Sequence, residues 1–338
     1  MQAGDTMADY KIDPCLRVAV VGCGHWGKNL VRNFHQLDVL ACVHDLDADV
    51  AHEDASVYGV SSRGFNEVLK DDEIQGIVIT TPAETHAEMA EAGLRAGKNV
   101  FVEKPLALRV HEAEHLCQLA DDFGLVLMVG HLLQYHPAFE KLKEICRSGA
   151  LGKVQYVYSH RLNLGKFRTE ENILWSFAPH DISMILGLLG DGLESVSATG
   201  HSYLNHDVAD VTTTHLKFAD GQAAHVFVSW LHPFKEQRLV VVGEEGMAVF
   251  DDMLDWTEKI SVFPHRVDWN NGLPVPAEAD REFIALEKSE PLEVECRHFL
   301  HCMETGEAPR TDGREGLRVL RVLDAAQRSI ETGKTSNF

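Results

Sequence analysis

The feature that most constrains the fold is a glycine-rich turn near the start of the chain. In the segment VAVVGCGHWGKN, a strand-like run precedes Gly22, Gly24 and Gly27 in the pattern G-x-G-x-x-G, and a helix-like run follows. In such a turn the first glycine allows the bend, the second lets the backbone approach a pyrophosphate, and the third lets the helix pack on the strand. The helix N-terminus contributes free N–H groups and a positive dipole. We therefore predict a dinucleotide-binding βαβ unit in preference to a plain tight turn.

Strands and helices continue to alternate after this turn. Apolar, branched runs of strand length are LRVAVVG, VLACVHD, GIVITT, NVFVEKP and LVLMVGH. Helix-period segments, for example residues 85–96, lie between them. This rhythm predicts a parallel, doubly wound α/β sheet. We expect a flexible N-terminal extension over residues 1–15 and an NAD-binding Rossmann domain over residues 16–130.

The pattern changes after His131. Strand-like segments now follow one another without long helices between them, namely KVQYVYSHRLN, ESVSATGHSYL, ADVTTTHLKFADGQAAHVFVSWL, QRLVVVGEEGMAVFDD and EKISVFP. In FADGQAAHV the Asp-Gly pair supplies the positive φ of a tight hairpin. Helix-like segments cover residues 137–147, 179–189, 291–305 and 314–332. These features predict an α+β domain over residues 131–338 with a large, mostly antiparallel sheet. Helices would cover one face, and the other face would pair copies into a homodimer or homotetramer.

Composition limits the possible partners and the compartment. The formal net charge is -21, which argues against nucleic acids and anionic membranes because both attract clustered Lys and Arg. The seven cysteines are scattered without a C-x-x-C pair, which favours thiols in a reducing compartment. The N-terminus is polar, and no apolar run approaches the roughly 20 residues of a membrane span. We expect a cytoplasmic protein.

Polar residues follow the second and third major strands. Asp45 ends VLACVHD, where a carboxylate accepts both ribose hydroxyls of NAD and repels the 2′-phosphate of NADP. The alternative for Asp45 is a helix cap or a solvated turn. Thr80, Thr81, Pro82 and His86 follow GIVI, at the strand end where open sheets bind ligands. His86 is equally compatible with a surface position in the first turn of a helix. The predicted cofactor is NAD.

Two further segments carry groups suited to proton transfer. VFVEKP places Glu103 and Lys104 at a strand end, where a lysine near a nicotinamide can bond a substrate hydroxyl and assist proton transfer. In LWSFAPHDISMILGLL, Pro179 suits the first turn of a helix and puts His180 at its opening. A histidine can take a hydroxyl proton, although a capping or packed histidine is the more common case. Hydride transfer needs no metal, and we predict none because no residues have zinc-site spacing.

The substrate residues are expected between these segments. RLNLGKFR brings Arg161, Asn163, Lys166 and Arg168 together in an otherwise acidic chain. Such a cluster can neutralise a diphosphate, and the alternative is a solvated loop with ordinary surface cations. Tyr135, just after a strand, can stack on or bond the sugar or the nicotinamide, or it can simply mark a helix entry.

The motifs GCGHWGKN, TTPAETH, VEKP and the later His180 segment, in this order and spacing, resemble the Gfo/Idh/MocA family of sugar and inositol dehydrogenases. The resemblance covers nearly the whole chain from about residue 16. It implies NAD-dependent oxidation of a CH–OH group, with Lys104 and His180 as the catalytic residues. The usual family helix carries carboxylates four residues before this histidine and three after it. Ser176 and Ser183 occupy those places here, which is a departure from the family pattern.

Two longer segments narrow the resemblance to a branch. LNLGKFRTEENILWSFAPHDIS and VSWLHPFKEQRLVVVGEEGMAVFDD look like the nucleotide-sugar branch, which includes UDP-N-acetylglucosamine 3-dehydrogenases and related uronic-acid enzymes. These oxidise the hexose 3-hydroxyl to a ketone that a partner aminotransferase converts to an amine, in amino-sugar, lipid A or polysaccharide biosynthesis. The resemblance implies cofactor contacts at His25 and Trp26 and a substrate contact at Trp175. The alternatives are a free-sugar or inositol dehydrogenase and a dinucleotide-binding regulator without turnover.

Overall fold

The structure is a computed structural model that describes residues 10–165, 167–169 and 171–338. Contacts along the chain divide it into two compact units. The first contains the chain up to Tyr135 together with Glu290–Leu320, and the second contains His136–Ser289 and Arg321–Phe338. The sequence predicted a single change of domain near residue 130, so the return of residues 290–320 to the first unit is a difference from that prediction.

The N-terminal unit is built on a six-stranded parallel sheet. Its strand order is β3-β2-β1-β4-β5-β6, which is the doubly wound dinucleotide-binding order. Each predicted strand is present, and the two-residue β3 was not predicted. The elements in chain order are β1 (Val18–Val21), α1 (Gly27–Gln36), β2 (Leu40–His44), α2 (Ala48–Tyr58), β3 (Ser61–Ser62), α3 (Phe65–Lys70), β4 (Gly76–Ile79), α4 (His86–Arg95), β5 (Asn99–Glu103), α5 (Val110–Phe123) and β6 (Leu127–Gly130).

The C-terminal unit is built on a nine-stranded sheet. Its order is β16-β13-β12-β11-β7-β10-β9-β8-β17, and β7 and β10 are parallel while the other neighbours are antiparallel. A separate hairpin pairs β14 with β15. The elements are α6 (Pro137–Arg147), β7 (Val154–Leu162), α7 (Ile173–Leu189), β8 (Leu193–His201), β9 (Val211–Phe218), β10 (Ala223–Ser229), β11 (Glu236–Gly243), β12 (Met247–Asp251), β13 (Ile260–Phe263), β14 (Arg266–Asn270), β15 (Leu273–Ala277), β16 (Glu282–Ile284) and β17 (Ser336–Asn337).

The predicted hairpin between β9 and β10 is confirmed. Phe218 N–H donates to the Gln222 carbonyl over 2.9 Å, and Gly221 has φ +80°. The mixed, mostly antiparallel sheet and the Rossmann-like parallel sheet together confirm the predicted fold class. Among the described residues, no helix has both the length and the apolar character needed to cross a membrane.

The chain returns to the N-terminal unit with helix α8 (Pro291–Thr305) and leaves that unit again partway along α9 (Gly313–Thr332). The packing of α8 explains this return. Phe299 of α8 is fully buried, with ring centroids 6.5 Å from Phe34 and 5.7 Å from Phe101. Cys296, Leu300 and Cys302 belong to the same apolar cluster as the strands β1 and β4, so this helix completes the core of the N-terminal unit.

Candidate functional site

The glycine turn has the geometry expected of a diphosphate-binding loop. Gly22 has φ +99°, and a Cβ there would lie 2.8 Å from the Thr80 carbonyl carbon. A Cβ on Gly27 would lie 2.1 Å from the Gly22 carbonyl oxygen, so only glycine lets α1 start this close to the turn. A Cβ on Gly24 would meet nothing within 4 Å, and His25 and Trp26 beside it are exposed. The turn is therefore tightly packed at Gly22 and Gly27. It is open at Gly24, where a pyrophosphate could approach the protein backbone.

Asp45 lies at the end of β2 against this turn. Its Oδ2 accepts from the Cys23 N–H at 2.7 Å, and its Oδ1 accepts from the Asp47 N–H at 2.9 Å. Asp45 thus stabilises the turn as a hydrogen-bond acceptor and also places a carboxylate at the edge of the glycine turn. The predicted ribose contact and the alternative of a structural turn residue are therefore compatible with each other. Asp47 in turn caps α2 by accepting from the Asp49 N–H. These acids make the local potential negative, which disfavours the additional phosphate of NADP.

Thr80 and Thr81 hold the end of β4. The Thr80 N–H donates to the Val21 carbonyl at 2.8 Å, and its hydroxyl donates to the Gly22 carbonyl at 2.8 Å. Thr81 accepts a hydrogen bond from the Thr85 hydroxyl at 2.7 Å. Thr80 therefore fixes the glycine turn in place, which is a supporting role in addition to its predicted position at the cofactor edge.

His86 is the first residue of α4, as one of the two sequence interpretations expected, but it does not lie at the surface. It is buried, with Nδ1 2.7 Å from the Pro105 carbonyl oxygen and Nε2 2.8 Å from the Thr81 carbonyl oxygen. It ties the loop after β4 to the loop after β5, whereas Pro82 at the outside of the same loop is exposed. Burial lowers the pKa of His86. The ring is enclosed between the Pro105 and Thr81 carbonyls, which differs from the predicted contact with a dinucleotide.

Glu103 is the last residue of β5 and Lys104 follows it, and their side chains differ in environment. Glu103 is buried, and its carboxylate accepts from the Trp26 indole N–H and, at 3.2 Å, from the Lys104 N–H. Burial raises the pKa of Glu103 to about 7 despite these hydrogen bonds. Lys104 is only half-buried. Glu103 therefore anchors Trp26 of the glycine turn to the strand that carries Lys104.

Glu295 of α8 is a buried acid that the sequence interpretation missed. It is fully buried, and neither carboxylate oxygen has a hydrogen-bond partner among the described residues. Burial, followed by the charge of Glu103, raises the pKa of Glu295 well above its ordinary value. The available signal was its spacing, because Glu295 lies four residues before Phe299 and three after Leu292, on the apolar side of an amphipathic helix.

Tyr135 belongs to the core of the N-terminal unit. Its side chain is 1% exposed, and its hydroxyl is 2.9 Å from the Thr311 hydroxyl. Its ring lies 5.4 Å from that of His298. This placement differs from the predicted contact with sugar or nicotinamide, because the hydroxyl is already paired inside the protein.

Helix α7 begins earlier than the sequence predicted. The Asn172 side chain caps it by accepting from the Trp175 N–H at 3.3 Å, so the helix starts at Ile173. Pro179 lies inside the helix and not in its first turn, and His180 is half-buried near the middle. The error came from taking Pro179 as the start signal when Asn172 is the cap. Trp175 donates its indole N–H to Gln327 at 3.2 Å.

The two described cations of RLNLGKFR, Arg161 and Arg168, are each paired with a separate carboxylate. Arg161 is buried and ion-paired with Asp181, at 2.7 Å between Nε and Oδ2. Arg168 is exposed and pairs with Glu171 at 3.0 Å. The backbone of Asn163 donates to the Ser229 carbonyl at 3.1 Å, and Lys166 lies outside the described residues. The prediction that Arg161 binds a diphosphate is therefore wrong, because its guanidinium is ion-paired with Asp181 of the same unit.

Comparison with known proteins agrees with both units. Residues 16–131 match the family described as "Oxidoreductase family, NAD-binding Rossmann fold", and residues 139–249 match the "GFO/IDH/MocA C-terminal domain". The chain is 27% identical to UDP-N-acetylglucosamine 3-dehydrogenase of Acidithiobacillus ferrooxidans, over 94% of this chain and 97% of that protein. A solved structure of that enzyme has a TM-score of 0.83 at 26% identity, with 94% and 97% of the two chains covered.

Other relatives are similar to the same degree. The chain is 27% identical to scyllo-inositol 2-dehydrogenase (NAD(+)) of Bacillus subtilis, over 94% of this chain and 95% of that protein. It is 25% identical to GenD2 from gentamicin A biosynthesis, solved in complex with NAD, with a TM-score of 0.81 over 100% of this chain and 99% of that one. The glycine turn, the doubly wound strand order and both family matches agree, and the chain belongs to the Gfo/Idh/MocA family of NAD-binding oxidoreductases.

Proposed function

We propose that the chain oxidises the 3-hydroxyl of a UDP-linked N-acetylated hexose with NAD, the hexose being N-acetylglucosamine or its uronic acid. The observation that carries this proposal is the full-length similarity, in sequence and in structure, to a UDP-N-acetylglucosamine 3-dehydrogenase. The coarser activity is that of an NAD-dependent dehydrogenase acting on a CH–OH group, as in the sugar and polyol dehydrogenases among its relatives.

The residues of the glycine turn fit the cofactor. The open position at Gly24 would admit a pyrophosphate, the free N–H groups at the start of α1 would bind it, and the Asp45 carboxylate would accept from the ribose hydroxyls. NAD, when bound, accepts the two electrons and the hydrogen from the carbinol carbon. Glu103 keeps Trp26 against the strand end, so that the turn and Lys104 have a fixed relation within the N-terminal unit.

Lys104 and His180 are the catalytic residues in this proposal. Lys104 donates a hydrogen bond to the reacting hydroxyl oxygen, which stabilises the negative charge that develops there. His180 accepts the hydroxyl proton on its imidazole. The proposed substrate contacts are Asn163, Trp175 and Arg168, and Arg168 would bind the diphosphate. Lys166, also predicted from the sequence, lies outside the described residues.

A free polyol or inositol is the second candidate substrate. It is favoured by the burial of Arg161 against Asp181, which removes one cation from the group expected to bind a diphosphate. The inositol dehydrogenase and the nucleotide-sugar enzyme among the relatives are both 27% identical to this chain in sequence.

A substrate panel separates the two candidates. NADH formation is measured with UDP-N-acetylglucosamine, its uronic acid, N-acetylglucosamine, and myo- and scyllo-inositol under identical conditions. Turnover of the UDP-sugars alone, with loss of turnover in R168A, supports the nucleotide-sugar assignment. Turnover of the inositols alone refutes it in favour of the polyol, and mass spectrometry of the product identifies the oxidised carbon.

The assembly and the metabolic context complete the proposal. Residues on one face of β7, β9 and β10 are buried, whereas the opposite face carries partly exposed rings. The rings are those of Tyr156, Tyr158, His160, His215, His225 and Phe227. We place a homodimer or homotetramer contact on this face, to be tested by light scattering of Y156E against wild type.

The 3-keto product is the substrate class of an aminotransferase, which would place the enzyme in cytoplasmic amino-sugar or lipopolysaccharide biosynthesis.

A further inference from the structure

Helix α7 lacks one backbone hydrogen bond beside His180. Pro179 has no N–H, so it cannot donate to the carbonyl four residues earlier in the helix, and its ring crowds that carbonyl. The turn that presents His180 is therefore less rigidly fixed by the helix itself than the turns on either side. Its orientation depends on side-chain contacts with the sheet below.

Asp181, the residue after His180, supplies such a contact. It is 1% exposed, and its two oxygens are bonded by the side chains of two residues of β7. Arg161 donates from Nε to Oδ2 at 2.7 Å and from Nη2 to Oδ1 at 3.3 Å, and Ser159 donates its hydroxyl to Oδ1. Ser159 and Arg161 are two residues apart on a strand, so they lie on the same face of the sheet.

The ion pair continues into a wider, partly buried network of the C-terminal unit. With its amide oriented to satisfy both neighbours, Gln237 accepts from Arg161 Nη1 at 3.1 Å and donates to Asp252 Oδ2 at 3.3 Å. Lys259 Nζ is 2.7 Å from Asp252 Oδ1, and His136 Nε2 is 3.4 Å from the same oxygen. Buried charges are costly unless they are paired and hydrogen-bonded, and every charge in this network has a partner of opposite sign.

We propose that Asp181 is a positioning residue for His180, and that its ion pair with Arg161 fixes the rotation of the α7 turn at Pro179. This inference rests on the proposed role of His180 in turnover. Successive helix residues point about 100° apart around the axis, so holding Asp181 against β7 sets the direction of the imidazole. The family's carboxylates at positions 176 and 183 are serines here, whereas Asp181, the residue after His180, keeps a carboxylate that is bonded by Ser159 and Arg161 of β7.

The test compares D181N with D251N in the full-length protein. Asp251 is the matched control because it is also buried and arginine-paired, with Arg238 Nη2 at 2.8 Å, but it lies on β12 and not on α7. For D181N we expect kcat to fall about 10- to 100-fold, since a small misplacement of a catalytic group has effects of this size. The Michaelis constant for NAD should stay unchanged. The acid limb of kcat/KM should move to lower pH because the substitution leaves the positive charge of Arg161 without its carboxylate beside the turn that carries His180.

A merely structural role makes a different prediction. If D181N and D251N lose thermal stability alike while D181N keeps the wild-type kcat and pH limb, the proposal is overturned. Should D181N not fold, the double variant R161M/D181L removes both charges and keeps the volume apolar, a change that buried ion pairs often tolerate. It should fold and keep the loss of kcat, and wild-type kcat in it would also overturn the proposal.

H180A separates this inference from the proposed function. If H180A keeps wild-type turnover, the proposed role of His180 fails and the positioning role of Asp181 fails with it. If H180A is inactive while D181N behaves as wild type, only the positioning role is wrong.

Discussion

Replacing Glu103 by glutamine should change how stability depends on pH. Glu103 is buried at the end of β5, next to Lys104 in the chain, and its pKa in the folded protein is about 7, against an ordinary value of 4.5. The folded state therefore binds the proton more tightly than the unfolded state does. The stabilisation from this proton is complete below pH 4.5 and is lost as the pH rises through about 7.

The magnitude follows from the two pKa values. The difference between about 7 and 4.5 corresponds to about 3 kcal/mol, at about 1.36 kcal/mol for each pKa unit. Urea unfolding of wild type and E103Q at about pH 4 and about pH 8 measures it. Between these two conditions the wild type should lose about 3 kcal/mol more unfolding free energy than E103Q does, because glutamine does not titrate.

A constant cost of the substitution cancels in this double difference. Glutamine keeps one acceptor oxygen for the Trp26 indole or the Lys104 amide, so a lost hydrogen bond lowers stability equally at both pH values. E304Q, which changes an exposed glutamate near the end of α8, is the matched control and should follow the wild type. Parallel pH dependence in wild type and E103Q would refute the reasoning.

Three further outcomes are expected. G27A should lose NAD binding and thermal stability together, because its Cβ would lie 2.1 Å from the Gly22 oxygen. The Cβ of G24A would enter open space, so this variant should unfold at the wild-type temperature and differ only in NAD titration. D45N should lower the preference for NAD over NADP about tenfold, the effect of about 1.4 kcal/mol, and an unchanged ratio of kcat/KM for the two cofactors would count against the assignment. For Asp252, burial alone would raise the pKa, but hydrogen bonds from His136 and Lys259 outweigh it and lower the pKa to about 2 from 3.8. The resulting stability of about 2 kcal/mol is present above pH 3.8 and lost as the pH falls through 2, so D252N should be less stable by this amount near neutral pH, and equal unfolding free energies would contradict it.

Local signals in the sequence were sufficient for many elements. Helices α6 and α8 begin at Pro137 and Pro291 as predicted, because proline suits the first helical turn, and α8 ends before Gly306 at φ +73°. The glycine turn was equally predictable, since its three glycines have distinct steric roles that a short motif encodes.

Contacts between distant segments were not predictable in this way. Arg161 was expected to meet a diphosphate, but its partner Asp181 lies 20 residues away on α7 and no periodicity links the two. Tyr135 and Glu295 are similar cases, because amphipathic spacing indicates that a side chain faces inward but not what it meets there. The same limit explains the domain boundary: the apolar face of α8 was recognisable, whereas the unit that buries it was not.

The return of α8 to the N-terminal unit also bears on how this protein is made. A ribosome synthesises β1, α1 and β5 long before Phe299 is added. In the nascent chain, Phe34 and Phe101 therefore lack the Phe299 ring that packs against them in the folded protein. We therefore expect the core of the N-terminal unit to be completed only after α8 has been synthesised. A fragment that stops at Tyr135 should bind chaperones or aggregate, and a premature stop codon anywhere before α8 should remove both halves of the enzyme at once.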